Sequence, residues 1–341
     1  MMGVLEWILE LLLSPWLFVP LIYPGLISAF AVLLFIIWLE RKLAAKVQLR
    51  YGPLYVLKQL GGVIQLVADL LRYLSAEPIV PDQADRLAFI FGPILLFASS
   101  YMATVAIPIS YNFYAFRSEI SLLVVLALTA MAPVFNLVIG WGSNNKFGLI
   151  GGLREGFLIT ADEIPLFVSA LAMAILYGTM DLVRMVELQS RWLWGIVLNP
   201  LAAITFFVLM LLSTSRFPFE IVEAESEIVM GPFTEYSGIL YGLTMGASYV
   251  KLYVLSLLFA ILFLGGWEPL PPLEFPGSWL ILPAAVLFLK ALVMMCLSVF
   301  MRSVYPRYRI DQALRLAWHY LFPASILSVF LSFVVLMGWF I

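Results

Sequence analysis

One cysteine, Cys296, and one histidine, His319, occur in 341 residues. A single thiol makes no intrachain disulfide, zinc site or iron–sulfur cluster. A single imidazole cannot supply both ligands of a bis-histidine haem. If the protein takes part in redox chemistry, another chain carries the electrons. Charge is scarce as well: 12% of residues are charged, against 63% hydrophobic. A soluble domain is about a quarter charged. A chain this apolar cannot cover a water-facing surface, so a soluble enzyme, a secreted disulfide domain and a disordered chain are all excluded. Phosphate-cradling glycine loops and nucleic-acid motifs are missing. Gly151-Gly152 and Gly265-Gly266 read as helix ends or sites of close packing.

Long apolar runs are abundant. A membrane helix needs ~20 apolar residues, and eight runs qualify: Trp16–Leu39, Leu87–Ile109, Ile120–Trp141, Leu153–Tyr177, Leu193–Leu212, Ile239–Leu264, Trp279–Met301 and His319–Phe340. They are too continuous for the alternating strands of a membrane barrel. The expected fold is all-α, polytopic and a single domain over 1–341. The first ten residues carry Glu6 and Glu10 and no basic residue, unlike a signal peptide; a short interfacial helix is expected there.

Basic residues set the orientation. Of the 19 Lys and Arg, 14 fall between Arg41 and Arg315 in or beside the loops after spans one, three, five and seven. Arg117, Arg184 and Arg191 lie on the other side, and Lys251 and Lys290 lie inside spans. Those four loops are expected in the cytoplasm and both termini outside, in the cell membrane. Between the first two spans, Tyr55–Leu74 mixes Lys58, Gln59, Gln65, Asp69 and Arg72 with apolar residues at helical spacing. This describes an amphipathic interfacial helix. It is either a plain membrane-surface helix or the wall of a portal for an amphiphilic ligand.

Acids inside the apolar runs are candidates for function. Glu119 sits at the mouth of span three. Glu155, Asp162 and Glu163 lie in span four, with Glu155 and Asp162 nearly in line, ~10 Å apart. The densest cluster is Arg216-Phe217-Pro218-Phe219-Glu220-Ile221-Val222-Glu223-Ala224-Glu225-Ser226-Glu227, with Glu235 beyond. If helical, Glu220, Glu223 and Glu227 share a face. Carboxylates so close cannot all ionise in a poor dielectric. A proton relay fits that pattern. So do helix capping, pairing with Arg216, and contact with a partner's basic groups. No metal-ligand spacing is recognisable.

This cluster resembles the corresponding stretch of the H-type membrane subunits of proton-pumping NADH:quinone oxidoreductase, respiratory complex I, a family shared with membrane-bound hydrogenases and ferredoxin-linked complexes. Glu40-Arg41-Lys42, Gln48-Leu49-Arg50-Tyr51-Gly52-Pro53, Gly142-Ser143-Asn144-Asn145-Lys146-Phe147 and Tyr305-Pro306-Arg307-Tyr308-Arg309-Ile310-Asp311-Gln312 resemble its other loops, in the same order. The resemblance covers almost the whole chain. It implies a membrane-arm component that binds no redox centre, with quinone at its interface, iron–sulfur clusters in hydrophilic-arm partners, and antiporter-like membrane subunits and lipid as neighbours. It implies a proton path through Glu163, Glu223, Glu225, Glu227 and Glu235, to which the other intramembrane acids and Glu220 add. It further implies an acceptor tunnel at Arg41, Arg216, Phe217 and Phe219, beside Gln65 and Asp69 of the amphipathic segment. Arg50, Arg307, Arg309 and Asp311 would face the hydrophilic arm. Four positions depart from the family pattern: Ser248 replaces an expected Glu, Glu220 an Asp, Asp162 a Tyr and Glu155 a small residue. The acceptor is therefore open between quinone, protons and polysulfide. A stand-alone ion-coupled transporter and a purely structural anchor are the rival readings.

Overall fold

The computed structural model describes residues 14–55, 59, 61–270, 273, 275 and 280–340; the side chains of Glu225, Trp339 and Phe340 fall outside that set. The N-terminal helix expected around Glu6 and Glu10, and Lys58 of the amphipathic segment, lie outside the described residues.

The described chain is helical throughout, with two isolated bridges as its extended pairings. Helices α1 (Pro15–Leu21) and α2 (Leu26–Val47) make the first span. A short helix α3 (Ile64–Ser75) follows, then α4 (Arg86–Val105). The third span is two abutting segments, α5 (Ser121–Ala130) and α6 (Ala132–Gly142). The break falls where Pro133 has no N–H to offer the preceding turn.

Helix α7 (Lys146–Tyr177) has 32 residues, about 48 Å at the usual rise. It starts seven residues before the apolar run expected at Leu153, because Asn145 caps it by accepting the Phe147 N–H at 2.9 Å. That first stretch packs tightly: a Cβ on Gly151 would lie 2.8 Å from Gly231 Cα. Next come α8 (Leu182–Arg191), the single turn α9 (Gly195–Leu198) and α10 (Pro200–Ser213). After the turn α11 (Glu225–Ile228) come α12 (Gly238–Phe263), α13 (Ile281–Val304), α14 (Ile310–Leu316), a π-turn at Ala317–Leu321, and α15 (Phe322–Phe340).

Among the described residues, seven helices or helix pairs are long and apolar enough to cross a membrane. The expected span Leu193–Leu212 is the exception. Its chain breaks at Asn199-Pro200, where Asn199 caps the following helix through the Ala202 N–H. The remaining 14-residue helix reaches about 21 Å, short of the ~30 Å hydrocarbon layer. Within the amphipathic segment, the helix of the described residues runs from Ile64 to Ser75, and Gly61 and Gly62 take positive φ just before it.

Helix α12 is the centre of the bundle. Its most apolar stretch is 94% buried, against 33% for α13 and 22% for the last span. It is apolar all round, which suits a helix with neighbours on every side. Helices α2, α3, α4, α10 and α13 pack against it, while α7 packs against α6, α10 and α15. The basic loops gather on one face of the bundle. There Asp85 N–H reaches Gly142 O, Asn144 reaches Gln83 O, and Tyr308 N–H reaches Pro218 O.

Candidate functional site

Two cavities flank α12. The larger, about 540 Å³, lies between α2, α3, α4 and α12. Its walls are mostly apolar: Leu33, Ile37, Leu66, Leu70, Phe97 and Leu243 among others. One end is polar and carries Glu40, Arg41, Asp69, Tyr249 and Arg302. Helix α3 closes the cavity. Trp38 donates to Gly61 O at 3.1 Å, Arg41 pairs with Asp69 at 2.7 Å, and Tyr73 packs on Tyr241. Its Val67 and Leu71 are exposed and do not line the cavity.

Glu40 is buried at the polar end and binds three partners. Tyr249 donates its hydroxyl at 3.0 Å, Arg216 lies at 3.5 Å, and Arg302 forms an ion pair. Arg216 stacks on the Tyr249 ring at 3.8 Å, and Arg302 also reaches Glu220 at 3.4 Å. Two carboxylates therefore balance two guanidiniums.

The second cavity is about 20 Å³, room for roughly one water. Asn136, Glu155, Ser213, Thr214, Glu223, Ser248 and Lys251 line it. Asn136 donates to Glu155 at 3.3 Å. Lys251 is 4% exposed, and its Nζ donates to Glu163 at 3.2 Å. Ser213 donates to the same carboxylate oxygen at 3.4 Å. Asp162 is buried beside them. At ~100° per residue, Gly242, Gly246 and Tyr249 occupy one face of α12. Ala247, Ser248 and Lys251 occupy the opposite one, so the helix is a shared wall.

The structure separates several residues that sequence reading grouped. Glu220, Glu223 and Glu227 share no helix face, since only Glu225–Ile228 is helical in that loop. Each acid is held differently. Glu220 meets Arg302, Glu223 lines the small cavity, and Glu227 pairs with Arg154 at 2.6 Å and Arg307 at 3.4 Å. Glu235 accepts the Asn145 amide at 2.5 Å, and the Glu225 side chain lies outside the described set. Glu119 is exposed on the far face, apart from these acids.

Among the tunnel residues, Arg41 and Asp69 line the large cavity and Gln65 supports Asp69 at 3.4 Å. Arg216 stands behind Glu40, and Phe217 lies under Arg302. Phe219 instead packs in a separate small core and stacks on Tyr308. Arg50 and Arg309 are exposed on the loop face, Arg309 with Asp311 at 3.5 Å. Arg307 is held by Ser226 and Glu227. Glu40, Asn136, Lys251 and Arg302 were not singled out from the sequence. Lys251 alone carried a visible signal, as an ammonium inside an apolar run. Among the described residues, no group of three or more His, Cys, Asp or Glu converges as a metal site.

The chain matches the NADH dehydrogenase family over residues 21–333. It is 38% identical over 315 residues to the H subunit of NADH-quinone oxidoreductase from Geobacillus sp. (strain WCH70), covering 90% of this chain and 91% of that one. It is 37% identical over 302 residues to the H subunit of F(420)H(2) dehydrogenase from Methanosarcina acetivorans, covering 86% of each. This protein therefore belongs to the NADH dehydrogenase family of H-type subunits, as a membrane component of an oxidoreductase complex.

Proposed function

We propose that this chain joins a soluble electron-transfer arm to ion-translocating membrane subunits, and that its large cavity admits an amphiphilic electron acceptor of the quinone class. The observation that carries this reading is the shared wall. One buried helix has an amphiphilic cavity on one face and buried acids on the other. An apolar tail fits the walls made by α2, α3 and α12. A polar head fits the end where Arg41, Tyr249 and Arg302 present donors.

Reduction of a quinone consumes two electrons and two protons. The electrons come from a centre in a partner chain, since this chain has no thiol or imidazole set to hold one. Glu40 and Arg302 line the head position, and Arg216 and Glu220 pair with them from behind, so the charge is balanced. A developing anion there favours the guanidiniums and loosens their hold on the carboxylates. The turn Ser213–Arg216 carries that change to the small cavity, because Ser213 and Thr214 line it while Arg216 pairs with Glu40. Proton occupancy of Glu155, Asp162 and Glu163 then follows. Glu223, Glu227 and Glu235 supply the loop-side entry. The loop face, with Arg50, Arg307, Arg309 and Asp311, docks the hydrophilic arm and faces the cytoplasm.

The test is direct. The purified complex is supplied with NADH, F420H2 or reduced ferredoxin, and quinone analogues, protons and polysulfide are compared as acceptors. Quinone reduction that is coupled to proton uptake into vesicles supports the reading. Proton or polysulfide reduction without quinone turnover removes the acceptor part. Full translocation per electron in both Glu163→Gln and Glu227→Gln complexes removes the coupling part.

A further inference from the structure

Among the described residues, Lys251 is the ammonium buried with the intramembrane acids, and the function above does not use it. It stands between two places. Lys251 lines the small cavity with Asn136, Glu155, Glu223 and Ser248, and its Nζ bonds Glu163. Helix α7 presents Glu155, Asp162 and Glu163 toward it, and the end of α10 presents Ser213. Three buried carboxylates face one ammonium. Burying unpaired charge is costly, and one ammonium cannot balance three carboxylates in full.

Two acceptors at this site have no partner: Glu163 Oε2 and Asn136 Oδ1. One belongs to the carboxylate that Lys251 bonds, the other to the amide that lines the small cavity with it. A fixed counter-ion would be expected to satisfy its carboxylate in full. An ammonium on a four-carbon stem that turns between the two sides would leave one acceptor open at each. Ser248, one turn before Lys251, is a small side chain on the same cavity wall and leaves space for that movement.

We propose that Lys251 is a proton-carrying relay between the small cavity and Glu163. In each cycle the ammonium gives one proton to the Glu163 carboxylate and becomes a neutral amine. The amine swings into the cavity and takes one proton directly from the carboxyl of Glu223 or Glu155, which line it. One proton enters through Glu223 or Glu155, one leaves when the Glu163 carboxyl passes its proton onward and is again a carboxylate, and the lysine ends unchanged. This step rests on the coupling role given to the acids above. Lys251 acts on the proton path and touches no acceptor.

Two substitutions in the whole complex separate a relay from a fixed counter-ion. Lys251→Arg keeps the positive charge and cannot release a proton, since guanidinium stays charged in proteins. Lys251→His keeps a group that titrates but shortens the stem. The assay reads proton translocation into vesicles and acceptor reduction in parallel. For a relay, Lys251→Arg slows translocation about 100-fold, the scale of a lost proton-transfer group, while Lys251→His retains measurable translocation. Wild-type translocation in Lys251→Arg, with loss in Lys251→His, would overturn the relay and leave a counter-ion. Glu163→Gln is run beside them. Wild-type translocation in that complex would instead remove the role of the acids on which the relay depends.

Discussion

Glu40→Gln is the perturbation with the clearest magnitude. The wild-type cluster sets Glu40 and Glu220 against Arg216 and Arg302, with Tyr249 donating to Glu40. Removing the Glu40 charge leaves a net charge of about one positive unit at the end of an apolar cavity. A pair at 3.5 Å in an effective dielectric of ~20 interacts by about 5 kcal/mol before solvation is counted. Breaking a buried pair by removing one partner costs about 3–5 kcal/mol. Arg302 is 30% exposed at its side chain, so water offsets part of this. The expected loss is about 3 kcal/mol, the low end of that range.

The assay is the rate of irreversible heat inactivation of the detergent-solubilised complex. A loss of about 3 kcal/mol corresponds to about 100-fold faster inactivation where the interaction is broken in the limiting step. The double variant Glu40→Gln/Arg302→Gln restores the charge balance. It is expected to recover about 2 kcal/mol relative to additivity, within the range seen for contacting residues. Inactivation of Glu40→Gln within about threefold of wild type, or strict additivity in the double variant, would refute the argument from charge balance.

Three further outcomes are expected. Gly242→Leu places a side chain in the large cavity, where a Cβ meets Tyr73 at an ordinary 3.4 Å. It should raise the KM for a quinone analogue by about 10-fold or more with assembly intact, the scale of a pocket changed by a methylene or more; an unchanged KM would mean the acceptor binds elsewhere. Glu227→Gln should cost under about 1 kcal/mol of stability, because its pairs with Arg154 and Arg307 are partly solvated. A large fall in translocation at unchanged inactivation rate would then be a coupling effect. Lys290→Met strips the ammonium from the carbonyls of Leu264, Gly266 and Glu268. It should cost about 3 kcal/mol, as three part-buried acceptors lose a charged donor, with protons per electron unchanged; a thermally normal variant would show that water replaces the ammonium.

Most of the fold was legible because apolar runs of span length admit few structures. The failures have local causes. Asn199-Pro200 is a cap followed by a residue suited to the first helical position, and that pairing divides a run that hydropathy alone joins. Gly61-Gly62 precedes α3 in a backbone conformation that a periodicity count ignores. The shared face of Glu220, Glu223 and Glu227 was expected only if the acid loop were helical, and only Glu225–Ile228 is. Pro218 and the separate arginine partners of Glu220 and Glu227 hold it otherwise.

The site was less legible because its defining contacts are long-range. Tyr249 reaches Glu40 across 209 residues, and Lys251 reaches Glu163 across 88. No local pattern encodes either pair. What the pattern does encode is an all-round apolar α12 whose middle is interrupted at Ser248 and Lys251, one turn apart. A central helix buries every face, so a lysine in it must find a carboxylate, and the intramembrane acids of α7 are the partners within the bundle. The same burial places Gly246 and Tyr249 against the other cavity. A charge change at the acceptor end then has two short routes to the acids: through the body of α12, and along the short stretch of backbone from Arg216 back to Ser213. On the function proposed above, coupling of the two cavities depends on how these two elements are packed, and substitutions that leave every acid in place but loosen α12 should uncouple acceptor reduction from translocation.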